Sequence, residues 1–323
     1  MSSIGGKMET PEEAWWEVPE GHRSGFVALI GRPNVGKSTL MNALLGHKVA
    51  IVTPKPQTTR NTMLGILTRQ DCQIVFIDTP GIHKPLHKLG EYMVEVALQS
   101  LQEADAILWL VDISREIQEE DLIISRRLGE LGKELPMVMA GNKVDLVPPE
   151  EVDDRAMLFR PLAPGAIWMP ISAVRGDGLE QLVSTLRDLL PEGPRFYPPD
   201  QITDAQERFI AAEVVREKAL LLLRQEVPYA IAVVVDEYKE RTENLLYISA
   251  TIYVERDSQK GIVLGQGGRM LKQIGKAARE ELEAITGKKV YLDLWVKVRP
   301  RWRKDENALR WFGYKVPKKK RKD

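Results

Sequence analysis

Eight consecutive residues, Gly31, Arg32, Pro33, Asn34, Val35, Gly36, Lys37 and Ser38, satisfy the pattern G-x-x-x-x-G-K-[ST]. Glycines in such a loop let backbone N–H groups face a phosphate with no Cβ in the way. The helix that follows adds the positive end of its dipole. Lys37 can then reach the β- and γ-phosphates of a nucleotide, and the Ser38 hydroxyl can bind Mg²⁺. Thr39, first residue of the helical stretch Thr39–Leu45, completes the phosphate-facing set.

Asp78, Thr79, Pro80 and Gly81 follow the apolar run Ile74–Ile77. A carboxylate at a strand end beside a phosphate loop is placed to hold the shell of a magnesium ion, and Gly81 lets its N–H approach a γ-phosphate. Alone, D-x-x-G would read as an ordinary turn; its position behind the phosphate loop gives it weight. Between the two lies the polar stretch Pro56-Gln57-Thr58-Thr59-Arg60. A threonine there can bind Mg²⁺ while the third phosphate is present and release after hydrolysis, an order–disorder switch. Thr59 is the preferred residue and Thr58 stays open. Lys37, Thr59 and Gly81 form the expected catalytic set, with Ser38, Thr59 and Asp78 as the Mg²⁺ ligands.

Asn142, Lys143, Val144 and Asp145 follow another strand-like run, Met137–Ala140. The Asp145 carboxylate can accept from both N1–H and N2–H₂ of guanine, whereas adenine would leave it unpaired and buried. Asn142 would tie loops together, and the Lys143 stem can lie against the base. Ser172 and Ala173, after Ile167–Ile171, can present a backbone N–H to the guanine carbonyl. These segments together predict a site for GTP and GDP and disfavour a P-loop kinase of small metabolites.

Further along, Gly265, Gln266, Gly267 and Gly268 separate two helical stretches. A G-x-x-G turn lets two helices clamp a nucleic-acid backbone. The same spacing recurs at Gly129 and Gly132 in what reads as a helix end, so spacing alone carries little. Arg269, Lys272, Lys276 and Arg279 follow at helical spacing and strengthen the reading. Arg301, Trp302 and Arg303 add a basic, aromatic cluster in which Trp302 is the stacking candidate. Trp295 alternates with apolar neighbours and reads as core. His83 and His87 lack a third ligand and read as a solvated loop.

The elements that must position these residues fall into two groups. Short apolar runs (Phe26–Ile30, Ile74–Ile77, Ala106–Val111, Met137–Ala140, Ile167–Ile171) alternate with helical patterns (Gly90–Glu103, Glu120–Leu131, Leu179–Leu190). That alternation predicts a mostly parallel α/β sheet covered on both faces. Four prolines within Pro191–Asp200 then break regular structure. Beyond them the order is α-β-β-α-α-β: a helix at Ala205–Leu223, strands at Ala230–Tyr238 and Leu245–Val254, the glycine turn between helices, and a strand at Val290–Val298. The expected division is an N-terminal extension (1–24), expected to be disordered, a nucleotide domain (25–190), a Pro-rich linker (191–204), a smaller two-layered α+β domain (205–300) and a basic tail (301–323).

Charge supports a polyanionic partner for the second group. The chain of 323 residues is formally neutral, but from Gln259 onward there are 19 Lys and Arg against 7 Asp and Glu, with 27 against 39 before it. An acidic body with a basic end is an electrostatic footprint for nucleic acid. The final run Lys318–Lys322 reads equally as a solvated tail. The N-terminus is acidic with no secretory pattern, no apolar run reaches membrane-spanning length, and the single cysteine, Cys72, cannot form an internal disulfide. A reduced, cytoplasmic setting is expected. The alternative is that the basic domain docks on a protein or an anionic membrane surface.

In order, GRPNVGKSTLMNALLG, PQTTRN, DTPG, NKVD, SA, FYPPDQITD, FIAAEVVREK and VLGQGGRMLKQIG closely resemble the signature segments of the Era family, from about Gly25 to Tyr314. The resemblance implies a P-loop G domain followed by a type II KH domain, GTP hydrolysis with slow intrinsic turnover, and binding of the 3′ region of 16S ribosomal RNA during 30S assembly. It further implies a monomer, cytoplasmic, with peripheral association at the inner face of the membrane. Gln266 stands where the family often has a basic residue, and the acidic extension has no counterpart. Ile82 follows Gly81 where Ras-like proteins carry a water-orienting glutamine, so hydrolysis must rest on positioning and cations. Asn34 resembles a residue that ligates K⁺ in related bacterial GTPases, which makes K⁺ a candidate second cation.

Overall fold

The computed structural model describes residues 15–55, 58–82, 84–85, 87–131 and 134–314. Most of the N-terminal extension, Pro56, Gln57, His83, Gly132 and the Lys318–Lys322 run lie outside them.

The first domain is built on β1 (Arg23–Ile30), β2 (Met63–Thr68), β3 (Cys72–Asp78), β4 (Ala106–Asp112), β5 (Met137–Asn142) and β6 (Ile167–Ile171), in the order β2-β3-β1-β4-β5-β6. Only the β2–β3 pairing is antiparallel, with Met63 opposite Asp78. β3 and β4 are buried along their whole lengths. Their largely apolar sequences are what a parallel sheet covered on both faces requires. On β1 the alternation splits the core: Val27 and Leu29 pack with Leu40, Phe76 and Leu182, while Ala28 and Ile30 pack with Trp109, Ile124 and Phe159. The covering helices are α1 (Lys37–Leu45), α2 (Lys88–Glu103), α3 (Glu119–Gly129), α4 (Val152–Phe159) and α5 (Leu179–Leu189).

Strand β2 and helix α4 were not expected. β2 is a short edge strand interrupted by Gly65, where an added Cβ would meet Met41 Sδ at 2.7 Å. The glycine weakens the strand pattern and at the same time lets α1 pack close. His87 is not simply a solvated loop residue: its Nδ1 accepts from the Gly90 N–H and caps α2.

The Pro-rich stretch is not a free tether. Gln73, fully buried, accepts from the N–H groups of Phe196 and Tyr197 at 2.7 and 2.9 Å and donates to the Tyr197 carbonyl at 2.8 Å. Further on, the Ile66 N–H donates to the Ile202 carbonyl, and the Leu64 N–H to Asp204. The segment therefore runs as a strap along the edge of the first domain.

The second domain comprises α6 (Glu207–Leu222), β7 (Ala232–Thr242), β8 (Leu245–Val254), α7 (Asp257–Leu264), α8 (Arg269–Thr286) and β9 (Lys289–Val298). Its sheet has the order β7-β8-β9, antiparallel then parallel, with α6 and α8 packed over the core on one face. The expected basic tail departs from expectation. Residues 302–304 form a short helical turn, and α9 (Glu306–Trp311) follows it. Trp302, Ala308, Leu309 and Tyr314 pack against Leu89, Tyr92 and Met93 of α2, so this segment is a wedge between the domains. Among the described residues no helix is long and apolar enough to cross a membrane.

Candidate functional site

The phosphate loop joins β1 to α1, and its path depends on two glycines. At Gly31 (φ 150°) a Cβ would meet the Leu110 carbonyl at 2.5 Å, and at Gly36 (φ 104°) it would meet Asn142 Nδ2 at 2.4 Å. Lys37 is buried at the head of α1 and donates to the Gly31 and Arg32 carbonyls at 3.0 and 3.1 Å. Burial pulls its pKa down to about 8, against the opposing pull of Asp78. An arriving polyphosphate would favour the ammonium form.

Three expected metal ligands meet here. Ser38 Oγ donates to Asp78 Oδ2 at 2.8 Å and lies 3.0 Å from Thr59 Oγ1, which itself reaches Asp78 Oδ2 at 3.4 Å. Asp78 is fully buried, and its other oxygen, Oδ1, has no hydrogen-bond partner. Burial pushes its carboxyl up from the ordinary value, with Lys37, Ser38 and Thr59 opposing. An all-oxygen cluster with an orphaned carboxylate oxygen fits Mg²⁺, which keeps several ligands from water and phosphate. Among the described residues no group of three His, Cys, Asp or Glu offers an alternative metal site. Thr58 points elsewhere, with its hydroxyl on Thr53 and the Lys55 carbonyl.

Gly81 sits where a Cβ would meet Pro33 N at 2.7 Å, so the D-T-P-G turn touches the phosphate loop directly. Thr79 donates to the Leu29 carbonyl, anchoring that turn to β1. Ile82 is buried in the core and places no polar group at the site.

The base-recognition residues are brought together from three loops. Asn142 donates to the Val35 carbonyl at 2.8 Å and accepts from the Ala173 N–H at 3.0 Å. It therefore ties the phosphate loop to the Ser172–Ala173 turn, as expected; the Ala173 N–H is already engaged. Ser172 Oγ donates to Asp145 Oδ1 at 2.6 Å, fixing the carboxylate. Lys143 donates to the Asn34 carbonyl at 3.0 Å and to Asp112 Oδ2 at 2.7 Å. The open cavity between these loops measures about 580 Å³ and runs from Lys37, Ser38 and Thr39 to Asp145, Leu146 and Val174.

Asp112 was missed by sequence reasoning. It ends β4 with its carboxylate buried, held by Lys143 and Ser114 and 3.6 Å from the Arg32 guanidinium. Burial opposes ionisation, but Lys143, Ser114 and Arg32 hold its carboxyl below the ordinary value. Arg32 also bonds Asp121, so its guanidinium is held between two buried carboxylates. The only sequence signal was an acid closing an apolar strand, as Asp78 does on β3.

The switch segment is gripped by the second domain. Arg60 Nη2 donates to the Tyr229 carbonyl, its guanidinium lies over Trp302 at 5.7 Å, and Arg216 of α6 donates to the Thr58 carbonyl. The Val52 N–H donates to Glu217 at 2.9 Å, and Lys48 pairs with Glu217 and Glu281.

In that domain Gly265, Gly267 and Gly268 all adopt positive φ (67°, 60° and 77°), forming the turn between α7 and α8. Arg269, Lys272, Lys276 and Arg279 are exposed along α8. Arg269 bonds the backbone and side chain of Gln266, which brings a cation to a turn lacking its own. Two tryptophans exchange their expected places. Trp302 is 0% exposed and donates to the Ala230 carbonyl at 2.8 Å, so it is not a stacking residue. Trp295 is 57% exposed and is not core. Leu292, Leu294 and Val296 face the helices, so strand parity turns Tyr291, Asp293 and Trp295 outward. Arg303 is engaged by Glu255, while Arg301 is exposed at positive φ.

Residues 26–143 match the family model described as 50S ribosome-binding GTPase, and residues 226–303 match that of the KH domain. A crystal structure of Era with MgGDPNP and nucleotides 1506–1542 of 16S ribosomal RNA is 44% identical, with a TM-score of 0.87, covering 91% of this chain and 99% of that chain. A single-site variant of Era from Aquifex aeolicus, bound to GDP and AlF₄⁻, is also 44% identical, with a TM-score of 0.86, covering 90% and 99%.

Proposed function

Because the chain belongs to the Era family of GTPases, we propose that it is a GTP-hydrolysing switch that grips the 3′ region of 16S ribosomal RNA and assists 30S subunit assembly and maturation. The observation that carries this reading is the meeting of Ser38, Thr59 and Asp78 beside Lys37, at one end of a cavity that closes on Asp145. The G domain (25–190) would bind and hydrolyse the nucleotide, and the KH domain (205–300) would hold single-stranded RNA, joined by the strap 191–204.

In this reading the loop 31–38 surrounds the phosphates with N–H donors, and the Lys37 ammonium offsets their charge. Ser38, Thr59 and Asp78 would hold Mg²⁺, which when bound neutralises charge between the β- and γ-phosphates. Thr59, which lies beside Ser38 and Asp78, would bind the ion while the third phosphate is present and release after hydrolysis, which would make it the sensor of hydrolysis. Asp145, oriented by Ser172, pairs with the guanine edge. With Ile82 buried, no side chain at that position orients the attacking water, so intrinsic turnover is slow and rests on preorganised electrostatics. The exposed cations of α8 and the glycine turn are suited to a nucleic-acid backbone. With a ribosomal partner the protein would act in the cytoplasm.

The test joins both halves. Asp145→Asn should shift preference from guanine to xanthine nucleotides, and Gly268→Asp should abolish binding of a 16S 3′-end oligonucleotide. An unchanged base preference would sink the nucleotide assignment. A docking role on membrane or protein instead would be exposed by unaltered RNA binding in the Gly268 variant.

A further inference from the structure

We propose that the outer face of the C-terminal sheet, where Tyr247, Tyr291 and Trp295 stand, is a second contact surface for single-stranded RNA. It would take bases from the strand that leaves the Gly265–Gly268 turn, so it rests on the RNA reading above.

The face is divided in two. At one end Tyr253 lies under Trp311 and Phe312, and Ala232 and Tyr253 pack into the wedge around Trp302. That half is closed by the protein itself. At the other end Tyr291 and Trp295 remain 59% and 57% exposed. Tyr247 and Tyr291 are register partners and stack at 5.8 Å with an interplanar angle of 24°. Arg241 lies over the Tyr247 ring at 4.1 Å. Trp295 Nε1 donates to Asp293 at 3.0 Å, which fixes the plane of the indole. Aromatic rings held rigid and left open to water on a sheet are not needed to close this fold.

Chemistry selects nucleic acid over a protein partner. The outward residues of β9 are Lys289, Tyr291, Asp293, Trp295 and Lys297, with no aliphatic side chain among them. The three acids nearby are already engaged: Asp293 by the indole, Glu237 by Lys239, and Asp236 by the Thr251 hydroxyl. Lys289 and Lys297 make no ion pair among the described residues. Rings interleaved with free cations are the pattern of a platform for single-stranded bases, because every base has a face to stack. Tyr291 and Trp295, four residues apart on one strand, are about 13 Å apart, far enough to seat different bases.

Position supplies the continuity. β9 is an edge strand of its sheet, and α8, which carries the turn's cations, packs on its inner side. An RNA strand held at the turn and crossing that edge meets Trp295 and Tyr291 next.

The full-length protein should be titrated by fluorescence anisotropy with a short RNA of about four nucleotides, matching the turn alone, and with one of about twelve nucleotides, within the range such platforms span. The Tyr291→Ala/Trp295→Ala pair should weaken the longer RNA by about fivefold or more and leave the short one unchanged. Tyr291→Phe/Trp295→Phe, which keeps both rings, should restore the longer RNA. Wild-type affinity for the longer RNA in the alanine pair, or equal weakening of both lengths, would overturn the proposal. Gly268→Asp separates the two readings: if it leaves the short RNA bound as before, the turn is not the primary site, whatever the aromatic variants do.

Discussion

Arg60 donates through Nη1 to the Ile231 carbonyl at 2.6 Å, so the residue after the switch threonine is anchored in the other domain. Because Arg216 holds the Thr58 carbonyl as well, both neighbours of Thr59 are fixed from the RNA-binding side. Arg60→Ala strands one buried and one part-buried carbonyl and should destabilise the protein by about 1–3 kcal/mol. Arg60→Lys should not rescue it, since an ammonium cannot span the fork. Thermal denaturation reads the loss; an unchanged melting temperature in both variants would show that the contact contributes nothing.

Asp112 holds Lys143 and faces Arg32. Asp112→Asn leaves both cations undercompensated and loosens two loops together. Labelled GDP should dissociate about tenfold faster, equivalent to about 1.4 kcal/mol, when followed by stopped-flow displacement. A release rate equal to wild type would rule out this positioning role.

The two switch threonines should behave differently. Thr59→Ala removes a hydroxyl that touches Ser38 and Asp78, and should slow GTP hydrolysis at least tenfold (about 1.4 kcal/mol on the barrier) while sparing GDP affinity. Thr58→Ala removes contacts only to Thr53 and Lys55 and should cost less than threefold in the same single-turnover assay. The reverse ranking would reassign the metal ligand.

Asn34 stands at positive φ with its amide donating to the Pro54 carbonyl, which ties the phosphate loop to the switch segment. We expect hydrolysis to run faster in K⁺ than in Na⁺ at matched ionic strength, and Asn34→Ala to erase the difference. Equal turnover in the two salts removes potassium from the mechanism.

Cys72 is fully buried at the start of β3, and burial pushes its thiol up to about 11. Since the thiolate is the nucleophile, only about a thousandth of it would be reactive at pH 8. Iodoacetamide should leave the native protein unmodified at that pH and label it once denatured. Rapid native labelling would mean that β3 opens readily.

The nucleotide site was legible because its chemistry is written in short contiguous segments, all but the switch segment following an apolar strand. Thr59 over Thr58 was a preference in the sequence and becomes distinct only through contacts to Ser38 and Asp78. Asp112 was illegible because its partners, Lys143 and Arg32, are remote in the chain. The tryptophans failed for a sharper reason: basic neighbours suggested that Trp302 was exposed, but a cation over an indole can equally be buried, as Arg60 shows. For Trp295 the parity with Asp293 held the correct answer. The strap was legible as a boundary, yet nothing in its prolines announced that Gln73 would pin it.

That pinning decides how the molecule can move. Everything up to Asp204 is tied to the G domain, and Ala205 and Phe209 pack against its core as well, so the neck before α6 has no slack. A lever with so short a neck swivels but cannot extend. The KH domain can be turned over the switch, never reeled out on a line, and an RNA strand in its grasp stays close enough to feel each change in the loop that senses the third phosphate.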